Sequence, residues 1–222
     1  MQSFLMTAIE TLFRCPVAVE ASGLSPAEMG LFPEERAFIQ AAVPKRRAEF
    51  ATARILARKA LGALGAAPIP LVPGPDRAPT WPRGFTGSIS HCDNFCAVVV
   101  ARSTDLISVG LDVENRRELD RAMQDLVLTP AERQWVATQR EELRPTLPIL
   151  IFSAKEAYYK CQYPVTSGFL DFQDVELAID WASGTYTARV LKPAWPAAVA
   201  CLSGRFLIDD DRVGCGVELA PG

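Results

Sequence analysis

An α+β fold in two halves of similar size is what the sequence predicts, and three observations predict it. A strongly helical stretch near residue 50 is followed by a Pro/Gly-rich connector and then by β-like runs. A second helical stretch ending near residue 161 is followed by three further β-like runs. The order helix, loop, strands and again helix, strands divides near residue 109, which gives halves of 1–108 and 109–222. The letters carry no internal repeat, so the likeness of the halves is an expectation about architecture alone.

The bulk numbers restrict the function classes. The chain has 222 residues, 49% hydrophobic and 22% charged, enough for a substantial core. Its net charge of −3 gives no overall field for nucleic acid, so any anion site must be local. The N-terminal MQSFLMTAIE lacks a positive segment and carries Glu10, which argues against a secretory signal and for a cytoplasmic protein. The longest uncharged run, 60–75, is broken by Pro68, Pro70, Pro73 and Pro75, so no membrane span is expected. Six scattered cysteines without C-x-x-C spacing read as free thiols.

The elements follow in order. Phe50, Ala53, Ala57, Ala60, Leu61 and Leu64 recur at helical spacing over 45–64, with Gly62 and Gly65 at the fraying end. Residues 66–84 read as a connector. The runs 95–101 and 107–113, joined by a short polar segment, read as a hairpin. Over 118–142 one or two helices are expected, with Thr129 as cap, Pro130 in the first turn and Glu132 closing a capping box. A further helix spans 149–161 and ends by Pro164, and strands are expected at 185–191, 199–208 and 213–219.

Two stretches carry charge where a structural element would not need it. In Val109-Gly110-Leu111-Asp112-Val113-Glu114, period-two alternation sends the three apolar residues to one face and the carboxylates of Asp112 and Glu114 to the other. They then lie ~7 Å apart along the strand, a spacing of hard oxygen donors that suits Mg²⁺. A solvated acidic strand end explains the same letters. In Phe152-Ser153-Ala154-Lys155-Glu156-Ala157-Tyr158-Tyr159-Lys160, Glu156 and Lys160 share a helix face and Lys155 lies 100° away. An ordinary i,i+4 ion pair is the bland explanation. Combined with the acidic strand, the helix offers a third carboxylate beside two cations able to hold phosphate oxygens.

Between Lys45 and Lys59 stand six basic residues and one acidic one, with Arg47, Arg54 and Arg58 on one stripe and Arg46 adjacent. Such a run is either a solvated basic face or an anion-binding one. Gly87-Ser88-Ile89-Ser90-His91 holds the chain's single histidine. It reads as a small-residue turn offering Ser90 and His91 to a phosphate, or as a histidine hydrogen-bonded for structure. His91, Cys92 and Cys96 lack the fourth ligand and spacing of a zinc site.

In this order GSISHC at 87–92, VGLDVE at 109–114 and FSAKEAYYK at 152–160 resemble the signature of the 4'-phosphopantetheinyl transferase superfamily. KRRAEFATAR at 45–54 and APTWPRGFTGSISHC at 78–92 narrow the resemblance to the enterobactin synthetase component D-like branch, covering roughly residues 44 to 175. The resemblance implies a fold of two similar α+β halves related by a pseudo-twofold, with the active site in the cleft between them. It implies transfer of the 4'-phosphopantetheine arm of coenzyme A to a serine of an apo acyl or peptidyl carrier protein, with release of 3',5'-ADP. Polyketide, nonribosomal-peptide or siderophore and fatty-acid synthesis are the settings it implies, and a monomer is favoured because one chain supplies both halves.

Carried over by motif, Asp112, Glu114 and Glu156 resemble Mg²⁺ ligands, with Glu156 the residue that joins the metal shell or, through it, deprotonates the serine. Lys155 and Lys160 would hold coenzyme A phosphates, Lys160 stabilising the leaving ADP. Ser90, His91, Arg46, Arg54 and Arg77 look like the remaining coenzyme contacts, although relatives often carry the basic residue one position either side of Arg77. Phe169 matches an aromatic that lines the cleft, and Tyr158, Tyr159 and the segment 115–135 are candidates for carrier docking. Two other classes fit part of the pattern: a Mg²⁺-dependent pyrophosphohydrolase of coenzyme A or a nucleotide, and a non-catalytic coenzyme A-binding module.

Overall fold

A computed structural model describes residues 8–25, 28–75 and 78–222. In chain order its elements are β1 (Ala18–Gly23), α1 (Pro33–Ile39), α2 (Pro44–Ala63), β2 (Phe85–Cys92), β3 (Phe95–Arg102), β4 (Ser108–Asn115), α3 (Arg121–Val127), α4 (Pro130–Thr138), α5 (Leu147–Thr166), β5 (Val175–Asp180), β6 (Thr185–Val190), α6 (Ala197–Ala200), β7 (Cys201–Ile208) and β8 (Arg212–Leu219). The architecture is α+β. Among the described residues the strands form two antiparallel sheets, ordered β1-β3-β2 and β4-β8-β7-β6-β5.

The first sheet explains an apolar run that alternation alone does not. Cys96, Val98 and Val100 of β3 pack under Ala53, Leu56, Ala57, Ala60 and Leu61 of α2. Ala97, Val99 and Ala101 face the other way, against Val109, Leu111 and Val113 of β4 and against Ile9, Leu12 and Phe13. A strand buried on both faces needs no polar side. For the same reason the expected hairpin of 95–101 with 107–113 does not form: β3 pairs with β1 and β2, while β4 pairs with β8 in the other sheet. The GSISH segment is likewise a strand rather than a turn. It is β2, returned to β3 through Asp93, whose φ of 28° falls where an aspartate is better tolerated than most side chains.

In the second sheet, α5 lies across the strands with Leu150, Ala154, Ala157, Tyr158 and Cys161 among Val175, Tyr186, Ala188, Val213, Cys215 and Val217. Its crossing of β4 is set by Gly110, where an added Cβ would stand 1.9 Å from the carbonyl oxygen of Ala157. Ser108 Oγ fastens the next turn by donating to the Cys161 carbonyl at 2.6 Å. Pro164 does not end this helix as the sequence reading expected. A proline removes its own N–H and crowds the carbonyl four residues back, but Thr166 Oγ1 to Gln162 Oε1 (2.6 Å) and Ser167 N–H to the Tyr163 carbonyl (2.8 Å) carry the last turn past it to a left-handed Ser167. The Thr129/Glu132 capping box stands as read. All six cysteines are free, and no helix among the described residues is long and apolar enough to cross a membrane.

Candidate active site

β2 and β4 belong to different sheets, so backbone pairing does not join them; two serines do. Ser88 and Ser90 point to one face of β2 and accept the backbone N–H groups of Leu111 and Val113, each at 3.0 Å. Ser90 Oγ in turn donates to Asp112 Oδ1 at 3.0 Å. From the other side α5 delivers Lys160, whose Nζ lies 2.7 Å from the same Oδ1 and 3.2 Å from the Leu111 carbonyl. Asp112 is 3% exposed, and its Oδ2 is buried without a hydrogen-bond partner.

The electrostatics follow from this crowding. Burial and then the neighbouring Asp112 push the Glu114 carboxyl up to about 7, with Glu156 adding to the effect and Lys160 and Arg117 opposing it. Burial also raises Glu156, against the pull of Lys160 and with the help of Asp112. Burial works to lower Lys160, but the carboxylates of Asp112, Glu156 and Glu114 outweigh it and hold the ammonium above its usual range. Three carboxyl groups and one cation thus share a single field. Among the described residues no three acidic, cysteine or histidine side chains are gathered into a ready metal cage, so the expected convergence of Asp112, Glu114 and Glu156 is electrostatic rather than a closed donor set. An orphaned, buried carboxylate oxygen beside a second carboxyl held partly protonated still fits Mg²⁺, which binds through one or two carboxylates and completes its shell with water and phosphate.

Two adjoining cavities share Pro79 and Ile89. One, of about 620 Å³, is lined by Trp81, Ser88, Glu156, Tyr159 and Lys160. The other, of about 430 Å³, is lined by Arg46, Glu49, Phe50, Arg54 and His91. Here Arg46 Nη1 lies 3.2 Å from both His91 Nε2 and Glu49 Oε2. Burial lowers His91, partly offset by Glu49, so at neutral pH its ring is uncharged and accepts from Arg46. Arg54 donates from Nε to the Leu71 carbonyl at 2.6 Å and lies 4.2 Å over the Phe50 ring. Burial pulls its guanidinium down to about 10, which leaves it cationic at neutral pH. Of the basic run, Arg46 and Arg54 line this cavity, whereas Arg47 and Arg58 are paired with Glu28 and Glu35.

Three sequence assignments change. Lys155 is not open to a phosphate: it is 3% exposed and donates to Glu132 Oε2 at 2.7 Å and to the Val127 and Phe172 carbonyls at 2.8 Å, which uses all three of its hydrogens. Its helical position turns it away from the face of Glu156 into the α3–α4 packing. Glu132, which also caps α4 and accepts Leu177 N–H, was legible as a capping residue but not as a counterion. Ser90 is likewise committed, its hydroxyl held by Val113 and Asp112 at 3% exposure. Tyr158 is a core residue donating to the Val199 carbonyl at 2.6 Å and cannot form a docking surface. Tyr159 meets the exposed Phe169 edge-on at 6.4 Å, and both line a third cavity of about 230 Å³ beside Glu156. Arg77 lies outside the described residues. The role of Ser88 was missed, although two serines spaced by two in a strand are the signal that finds it.

Comparison with known proteins agrees with the motif order. Residues 34–101 match the 4'-phosphopantetheinyl transferase N-terminal domain, and residues 108–213 match the 4'-phosphopantetheinyl transferase superfamily. The chain is 48% identical over 165 residues to 4'-phosphopantetheinyl transferase Svp of Streptomyces mobaraensis, covering 73% of this chain and 67% of that protein. It is 35% identical over 225 residues to 4'-phosphopantetheinyl transferase Npt of Nocardia iowensis, covering 96% of this chain and all of that protein. Enterobactin synthase component D of Escherichia coli is 36% identical over 138 residues, 61% of this chain and 64% of that protein.

Proposed function

Because the chain belongs to the 4'-phosphopantetheinyl transferase superfamily, we propose that it transfers the phosphopantetheine arm of coenzyme A to a serine of an apo carrier protein and releases 3',5'-ADP. Carriers of polyketide, nonribosomal-peptide or siderophore and fatty-acid synthesis are the substrate class. The observation that carries the reading is the pair of cavities meeting at Pro79 and Ile89, one lined by Arg46, Arg54 and His91 with Glu49, the other by Lys160 and Glu156. An elongated nucleotide diphosphate matches that division: its phosphorylated adenosine end suits Arg46, Arg54 and His91, and its diphosphate suits Lys160.

The proposed ligands of Mg²⁺ are Asp112 and Glu114, with Glu156 joining them. When bound, the ion withdraws charge from the diphosphate and makes it a better electrophile. The chain's own groups do the rest. Glu156, raised by burial, is suited to accept the proton of the serine hydroxyl as its oxygen forms a bond to the β-phosphorus. The bond from that phosphorus to the oxygen bridging to the α-phosphate breaks, and the electron pair leaves on 3',5'-ADP. Lys160, kept cationic by three carboxyl neighbours, offsets the charge that grows on the departing oxygen. In this reading residues 1–108 and 109–222 act as two halves of one monomeric, cytoplasmic enzyme with the site in the cleft between them.

The test is intact-mass spectrometry of a panel of apo carrier proteins incubated with the protein, coenzyme A and Mg²⁺. A gain of ~340 Da on one serine, lost on chelation, is the expected result. Free 4'-phosphopantetheine formed without a carrier would instead indicate a pyrophosphohydrolase, and coenzyme A bound without any product would indicate a binding module.

A further inference from the structure

We propose that Ser90 is a positioning residue, whose hydroxyl orients the Asp112 carboxylate so that Oδ1 is held by the protein and Oδ2 is left for a divalent cation. This rests on the reading of Asp112 as a cation ligand. Ser88 and Ser90 are equivalent in one respect, since each accepts a β4 backbone N–H at 3.0 Å. They differ in where each spends its single proton. Ser88 points it at the Leu111 carbonyl at a weak 3.4 Å, whereas Ser90 gives it to Asp112 Oδ1 at 3.0 Å.

Lys160 adds a second donor to that same oxygen at 2.7 Å. Both bonds therefore fall on one oxygen of a buried carboxylate, and the other oxygen has none. Two donors from different elements, β2 and α5, restrict rotation of the carboxyl group and fix which oxygen is spare. A phosphate could take the Ser90 proton only if Asp112 lost it. The next residue along, His91, lines the basic cavity, so β2 braces Asp112 on one face and serves the nucleotide end on the other.

The experiment is a Mn²⁺ titration, read by electron paramagnetic resonance of the free ion, on protein saturated with coenzyme A and without carrier. Binding of 3',5'-ADP is measured separately in chelator. Ser90→Ala is expected to weaken Mn²⁺ about 10–100-fold, the usual effect of removing a group that orients a metal ligand, and to leave 3',5'-ADP binding unchanged. Ser88→Ala removes the matching β2–β4 bridge without touching Asp112 and is expected to lower thermal stability while weakening Mn²⁺ far less than Ser90→Ala does, which separates positioning from structural support. Should Ser90→Ala fail to fold, Ser90→Cys, with its weaker donor, is expected to shift Mn²⁺ affinity in the same direction. Wild-type Mn²⁺ affinity in folded Ser90→Ala or Ser90→Cys, beside loss in Asp112→Asn, would overturn the proposal alone. So would a fall in 3',5'-ADP affinity, which would return the hydroxyl to a phosphate contact. A wild-type protein that takes up no Mn²⁺ would instead overturn the cation reading of Asp112 itself.

Discussion

Asp112→Asn is expected to lower the rate of carrier modification about a thousandfold or more while the protein stays folded. The substitution keeps the side chain's volume and its place between Ser90 and Lys160, so packing is retained. It removes the largest of the three carboxylate contributions that raise Lys160 and the charge that would hold the cation, two contributions to stabilising the same developing charge. Loss of a single such group commonly costs ~10²–10³ in turnover, and here two are lost together. Arg46, Arg54 and His91 line the other cavity, so affinity for 3',5'-ADP should survive. Carrier mass gain against time, with circular dichroism to verify folding, makes the check. Near-normal transfer by a folded variant would remove Asp112 from the chemistry.

Gly110→Ala is expected to produce the second large effect, by a purely steric route. The new methyl group would stand 1.9 Å from Ala157 O, 2.9 Å from Cys161 N and 3.0 Å from Ala157 C, all backbone atoms of α5 that no rotamer change can clear. The helix must lift from β4, which carries Glu156 and Lys160 with it and pulls Cys161 away from Ser108. Overpacking of this kind costs about 1–3 kcal/mol or more, several degrees in melting temperature for a chain of this size. A displacement of about 1 Å at reacting groups can by itself cost 10²-fold in rate. Thermal unfolding and transfer kinetics are expected to fall together. Wild-type values for both would mean that α5 does not rest on β4 at Gly110.

The chemistry-bearing letters were legible for reasons that differ from the fold's. Asp112 and Glu156 stood out because charge inside apolar runs needs a cause. Alternation put Asp112 opposite Leu111, which the β4 packing bears out. Helix α2 and the Thr129 cap were readable because periodicity and capping are local. What failed was nonlocal. Nothing near Phe95 says that β3 is covered by α2 on one side and β4 on the other, so its neighbour in sequence was taken for its neighbour in the sheet. Lys155 was misread in the same way: its partner Glu132 lies on another helix, and no spacing within FSAKEAYYK reveals that one lysine turns into the core while the other reaches Asp112. Once buried, the Lys155–Glu132 pair serves to seat the helix, since breaking such a pair leaves an uncompensated charge in the interior.

Anomalous scattering from Mn²⁺ in crystals of the protein with coenzyme A is the most direct measurement of whether the acidic strand and the Lys-Glu helix act on one diphosphate. The expected result is a single peak that touches Asp112 Oδ2 and Glu114, with the diphosphate held against Lys160. A coenzyme bound with its diphosphate away from Lys160, or a Mn²⁺ peak that does not touch Asp112, would contradict it.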